Sequence, residues 1–184
     1  RSGRYIYVAA NIYRLPFVDG LFDMATMIRT LHHMADAPAA LQQVRNVLRP
    51  GAAFILEYAN KLNLKAILRF VLRRQTWNPF ALEPVEFAPL NFDFHPHAMR
   101  QWLAAADLSV EKVLTVSHFR IGFIKRIFPA RFLAGLDSLV QWTGALWQLS
   151  PSVFLRARRS GAQVTAVHTD DPLTWFKCPQ CGHA

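Results

Sequence analysis

Cysteine is nearly missing from this chain. Its two copies, Cys178 and Cys181, are separated by two residues near the end of the 184 residues. Nothing else can pair with them, so an oxidised framework is excluded and a reducing, cytoplasmic setting is the expectation. Acidic residues are scarce as well, with 12 Asp+Glu against 21 Lys+Arg and a formal net charge of +9. No signal-peptide pattern opens the sequence. There is no internal repeat and no low-complexity tract. An uninterrupted membrane-spanning run is lacking too. The longest apolar stretch, Phe132 to Leu149, is broken by Asp137, Gln141 and Gln148, which makes it weak as a span and leaves an interfacial helix open.

What is present is a large apolar fraction, 52%, which excludes global disorder. The basic excess suits either a solvated surface or an anionic partner. The cations are scattered, apart from Arg69, Arg73 and Arg74 and the run Arg156, Arg158 and Arg159. A dedicated nucleic-acid protein more often carries a dense stripe with interleaved aromatics.

The order of elements follows α/β grammar. Tyr5–Ala9 is expected as a short buried strand and Asp23–Thr30 as a second. Asp36–Leu48 is expected as a helix, capped by Asp36, begun by Pro38 and stopped by Arg49-Pro50-Gly51. Ala52–Tyr58 follows as a buried strand, then Leu62–Arg74 as a basic amphipathic helix. Trp77–Phe94, rich in proline and aromatics, should be a structured cover. His97–Ala106 should be helical, Leu108–Ser117 a strand, Phe119–Leu149 two helices broken at Pro129, and Val153–Arg158 a last strand. The expected organisation is a domain over 1–158, a linker over 159–177 and a cysteine-bearing tail over 178–184.

Three pieces in sequence carry a family likeness: Leu15-Pro16-Phe17-Val18-Asp19-Gly20-Leu21-Phe22-Asp23, then Leu31-His32-His33-Met34-Ala35-Asp36, then Leu48-Arg49-Pro50-Gly51-Ala52-Ala53-Phe54-Ile55-Leu56-Glu57-Tyr58. In this order and spacing the chain resembles class I S-adenosylmethionine-dependent methyltransferases of the small-molecule type. The resemblance implies a Rossmann-like α/β fold, with a mostly parallel sheet flanked by helices and a helical insert before an antiparallel last strand. On that template Tyr5–Ala9 corresponds to the third strand. The Gly-rich cofactor loop and the ribose-binding acid, which the family places earlier, have no counterpart in these residues. The expectation is an enzyme as the complete protein and an incomplete, inactive fold for these residues alone.

The resemblance also implies site residues. Asn11 falls where the family often has an aspartate that accepts a hydrogen bond from adenine, and Ile12 would wall the ring. A turn role for Asn11 is the competing reading. Ile28 and Arg29 would lie near the amino-acid end of S-adenosylmethionine, with Arg29 either gripping a carboxylate or turned to solvent at the strand's end, and His33 either packs beside the cofactor or is a plain core or surface histidine. Glu57, Tyr58 and Asn60, at the end of a strand, are acceptor-site candidates, since ligands of such sheets lie at the carboxyl ends of strands, with a capping and turn role as the competing reading. No catalytic base is identified, because an activated methyl donor leaves the protein mainly positioning and electrostatics. His32, His95 and His97 are expected to pack or cap. Cys178 and Cys181 resemble half of a zinc ribbon, which needs a further Cys pair to complete a tetrahedral site.

A small molecule or lipid is the favoured acceptor. The alternatives are methyl transfer to RNA or protein, prompted by the charge and the cysteine tail, and a catalytically inactive binding module. The oligomeric state is open.

Overall fold

The computed structural model describes residues 5–118, 126–162 and 172–183. A four-stranded sheet forms the centre, from β1 (Phe22–Met27), β2 (Leu48–Ala59), β5 (Leu108–Val116) and β6 (Ser152–Arg159), in the order β1-β2-β6-β5. β1 and β2 run parallel, and β6 is antiparallel to both β2 and β5. Three strands therefore share one direction and the last in sequence opposes them, as the Rossmann-like reading expects.

The parallel β1–β2 pair requires a crossover, and α1 (Ala37–Val47) supplies it. Asp36 caps α1 by accepting from Ala39 N–H at 3.0 Å, and Ala40, Leu41, Val44 and Val47 face inward. The helix passes into β2 at Leu48 with no loop between them. Pro50 and Gly51 thus sit among the first residues of a strand, where a register shift opposite Phe22 and Met24 and a φ of 79° at Gly51 accommodate them. α3 (Pro96–Ala105) packs beside α1, burying Met99 and Leu103 against Phe54, Leu56, Leu155 and Leu108 of the sheet.

Tyr5–Ala9 is not a strand. The segment pairs with nothing among the described residues, and Tyr5 and Tyr7 are 73% and 92% exposed. A strand needs a partner for its amides, and a run of β-formers cannot provide one by itself. β1 also stops at Met27, three residues short of expectation. The aromatic cover proves to be a hairpin, β3 (Val85–Ala88) and β4 (Asn91–Asp93), preceded by α2 (Leu64–Val71). The insert before β6 holds α4 (Ala130–Val140), starting just after Pro129 as expected, and a 3-10 stretch over Gln141–Ala145. Most of the helix expected before Pro129 lies outside the described residues. In the expected linker, Phe176 bridges to Phe17, and Lys177 N–H and Nζ bond Pro16 O and Asp19. No helix among the described residues is long and apolar enough to cross a membrane.

Candidate functional site

β1 and β2 end on the same edge of the sheet, β5 ends there too, and antiparallel β6 begins there. Most of the residues singled out from the sequence collect at this edge. Glu57, near the end of β2, is buried. Its Oε2 accepts from Arg29 N–H at 2.8 Å and its Oε1 accepts from the Ser152 hydroxyl. One carboxylate thus ties the exits of β1 and β2 to the entry of β6. Arg29 has φ 55°, a strained value for a non-glycine residue, and the Glu57 bond helps hold it there. The Arg29 and Ile28 side chains are exposed.

Beyond β1, a 3-10 turn over Leu31–His33 buries Leu31 and leaves His33 exposed. His33 Nδ1 lies 2.9 Å from Leu90 O, so Nδ1 carries the proton and pins the β3–β4 hairpin over this edge. The rings of His32 and His33 are 4.0 Å apart. Burial, followed by its neighbour His33, holds the pKa of His32 below the usual imidazole range.

Asn11 lies in a turn, where its Oδ1 accepts from Tyr13 N–H at 2.9 Å. Tyr13 OH in turn accepts from Asp36 N–H at 3.2 Å, and Ile12 packs on the core. This brings Asn11 and Ile12 to the N-terminal end of α1, on the side where β1 ends. The turn role is therefore present, and one lone pair of Asn11 Oδ1 remains for a ligand. Asn11, Ile12, Arg29 and the turn at His33 thus lie toward the end of the sheet at which β1 stops.

Tyr58 and Asn60 are 1% exposed. Tyr58 OH donates to Gln148 Oε1 at 2.7 Å, and burial pushes its phenol pKa far upward. Asn60 Nδ2 donates to the carbonyls of Gln148 and Ser150 at 2.6 and 2.7 Å, and its Oδ1 accepts from Leu62 N–H at 2.9 Å. Their polar atoms are engaged inside the fold, and they join the end of β2 to the segment before β6.

Three further titratable residues belong to this region, and of these the sequence pattern singled out only His95. Lys61 is buried, with Nζ donating to Ala81 O and Glu83 O at 2.9 and 2.6 Å. Its pKa is depressed by burial, partly offset by Glu83 and Asp93. Asp93 is pushed up to about 6 by burial, with Lys61 pulling the other way. His95 is lowered, by burial first and then by the Lys61 cation, and its Nδ1 accepts from His97 N–H, capping α3. The capping role expected for the His95/His97 pair is thus realised by His95. A polar residue next to Asn60 was the only hint of Lys61; its partners lie about twenty residues on.

Cys178 and Cys181 sit in a tight turn, closed by Gly182 N–H to Cys178 O and Cys178 N–H to His183 O at 2.8 and 2.7 Å. Hydrogen bonds from the Cys181 backbone and thiol lower the Cys178 pKa. The described residues contain no group of three or more His, Cys, Asp or Glu that could hold a metal ion, so two thiols are all that this turn offers.

A groove of about 830 Å³ lies elsewhere. It follows the outer edge of β5 between Asp107 and Leu114, with Arg100 and Trp142 on its walls. Most of its lining is one strand's free edge, away from the ends of β1 and β2.

Residues 1–56 match the methyltransferase domain family. Over 53 residues, 28% of this chain and 23% of the relative, the sequence is 47% identical to a 2-phytyl-1,4-naphtoquinone methyltransferase of Trichormus variabilis. Over 106 residues, 55% of this chain and 45% of the relative, it is 29% identical to a demethylmenaquinone methyltransferase of Mycolicibacterium vanbaalenii. The matched regions span less than half the length of these relatives. Among solved structures, the [4+2]-cyclase SpnF superposes with a TM-score of 0.54, at 18% identity over 88% of this chain and 58% of that one. A S-adenosylmethionine-dependent methyltransferase from Mesorhizobium loti gives 0.51, at 16% identity over 82% and 68%. The superpositions bear out the Rossmann-like fold. A cyclase among them illustrates that the fold does not fix the reaction.

Proposed function

We infer that this chain is part of a class I S-adenosylmethionine-dependent methyltransferase acting on a small apolar acceptor of the quinone type. The observation that carries the reading is the methyltransferase-domain match over residues 1–56, which contains Asn11, Ile12, Ile28, Arg29 and His33. The acceptor class is suggested by the two similar proteins, which are named for methyl transfer to quinones.

The sulfonium cofactor supplies an activated methyl group. This chain's residues then have to bind and orient. Asn11 would accept from the adenine amino group with its remaining lone pair, while Ile12 offers an apolar wall. Arg29 would fork onto a carboxylate, with its backbone held by Glu57. Ile28 and His33 would pack beside the amino-acid end. On the acceptor side, Glu57, Tyr58 and Asn60 would serve as a rigid wall, since their polar atoms are already engaged. An apolar acceptor asks for shape more than for free hydrogen-bonding groups.

The test is calorimetry of the complete protein with S-adenosylmethionine and its demethylated product, followed by radiolabelled methyl transfer to a demethylated naphthoquinol. Absence of both heat and a thermal shift would remove the methyltransferase reading. Cofactor binding without transfer to the naphthoquinol would remove only the acceptor. Asn11→Asp should bind the cofactor as tightly as the parent or tighter, by up to about 1 kcal/mol, the scale of one hydrogen bond. A large loss would take Asn11 away from the adenine.

A further inference from the structure

An amphipathic helix on a globular protein ordinarily turns its apolar side inward. α2 does the reverse. It rests on Ala66, which is buried, and on Phe70, whose ring meets Phe80 edge-on at 6.3 Å. On the far side, Leu64, Leu68, Val71 and Leu72, spaced i, i+4, i+7 and i+8, are 52, 52, 68 and 61% exposed. Aliphatic side chains of this size are not left in water as a contiguous arc without reason.

The charge beside the arc has one sign. Between Glu57 and Glu83 there is no acidic residue, while Lys61, Lys65, Arg69, Arg73 and Arg74 fall in that interval. Lys61 is buried with its ammonium on two carbonyls. The other four are exposed, and none makes an ion pair among the described residues. Leu64 N–H donates to Leu149 O at 2.8 Å. That bond ties the start of α2 to the chain that carries exposed Leu146 and Trp147, 69 and 60%.

We propose that α2, with the Leu146–Trp147 segment beside it, is an interfacial docking surface for an anionic lipid bilayer. The aliphatic arc enters the acyl boundary, the adjacent cations meet lipid phosphates, and tryptophan sits at headgroup depth, as interfacial helices do. A bilayer fits better than the other anionic or apolar partners. A nucleic acid would find aliphatic side chains where it needs stacking faces, and a second copy of this chain would bring four unpaired cations against four more. The proposal goes beyond the methyltransferase reading and does not depend on it, because the surface needs no cofactor. It also places the end of β2, where an acceptor would arrive, a few residues from the membrane.

The experiment is co-sedimentation of the full chain with vesicles of phosphatidylcholine alone and of phosphatidylcholine with phosphatidylglycerol. Binding to the anionic vesicles, weakened by salt, is expected. Leu68→Ser/Val71→Ser should weaken it by about tenfold or more, and Lys65→Gln/Arg69→Gln by about tenfold to thirtyfold. All four side chains are exposed or flank the helix's outer side, so circular dichroism and melting should match the parent. Four outcomes would overturn the proposal. They are no sedimentation with anionic vesicles; equal binding to neutral vesicles that is indifferent to the charge variant; self-association lost in Leu68→Ser/Val71→Ser with no vesicle binding; or retention of single-stranded RNA, lost in the charge variant, with no vesicle binding.

Discussion

At the scale of single residues, the interior at the end of β2 is more polar than its sequence suggests, and its groups are not equally well provided for. Tyr58, Asn60 and Glu57 have partners for their polar atoms. Asp93 differs. Burial holds its carboxyl at about 6, against an ordinary 3.8, although Lys61 works to lower it. Between those values the folded state holds a proton that the unfolded chain has released. The sign follows from linkage: stability falls as pH rises from about 4 through about 6, and the cost of the buried charge is fully present above that. Asp93→Asn, which cannot ionise, should therefore be more stable than the parent at pH 7 by about 1–3 kcal/mol and indistinguishable from it near pH 4. Urea unfolding at the two pH values checks this, and a variant less stable at pH 7 would show that the carboxylate is a needed partner of Lys61. None of this was legible in the sequence. Tyr58 and Asn60 stood out as strand-end polar residues, but Gln148 and Ser150, which engage them, lie about ninety positions away. Such distances are set by the fold and leave no local pattern.

At the scale of elements, the sequence spoke clearly where a local device decides the outcome. Asp36 and Pro38 start α1, Pro129 precedes α4, and periodic apolar residues mark α3. It failed where the partner decides, in Tyr5–Ala9 and in the β3–β4 hairpin, whose proline-rich surroundings hide alternation. The packing of the 3-10 stretch after α4 also depends on a partner. Gly144 presses against β5 so closely that an added Cβ would lie 2.8 Å from Thr115 N and 3.0 Å from Leu114 C, both backbone atoms. Gly144→Ala should push the stretch off β5 and cost about 1–3 kcal/mol, seen as a lower melting temperature. An unchanged melt would mean that this contact gives way freely. α4 is fastened at a second point. Asp137 accepts from Ser117 N–H at 3.0 Å and from His118 N–H at 2.9 Å, and lies 2.8 Å from His118 Nδ1. Burial alone would raise its pKa, but these hydrogen bonds more than offset it and the net shift is downward. A depressed carboxylate pKa stabilises above the unfolded value and loses that contribution as pH falls through the folded one. Asp137→Ala should then cost about 1–3 kcal/mol near neutrality, the penalty of leaving part-buried donors without this acceptor. The gap to the parent should narrow in acid below pH ~3. A gap of constant size across that range would assign the loss to packing instead.

At the scale of the whole molecule, the sheet has an inside and an outside. β2 and β6 each have two neighbours, β5 has one, and β1 pairs only with β2 among the described residues. Hydrophobic periodicity does not yield the strand order, because it says which residues are buried and not which strand lies next to which. Protection of backbone amides should follow this order, since opening free energy tracks local burial and pairing. In hydrogen exchange read by mass spectrometry, peptides of β2 and β6 should exchange slowest, β1 faster, and residues 5–10 at nearly the unfolded rate. A second layer of the same experiment tests the site. If a nucleoside cofactor lies across the ends of β1 and β2, adding S-adenosylmethionine to the complete protein should slow exchange around residues 8–13 and 28–33. These stretches flank the Asn11 turn and the strained Arg29. The groove along β5, between Asp107 and Leu114, should not change. Slowing along β5 with none near Asn11 would move the ligand to that groove and away from the strand ends. Full protection of residues 5–10 before any ligand is added would mean that a strand already pairs with them, and that the outer edge of the sheet lies further out than β1.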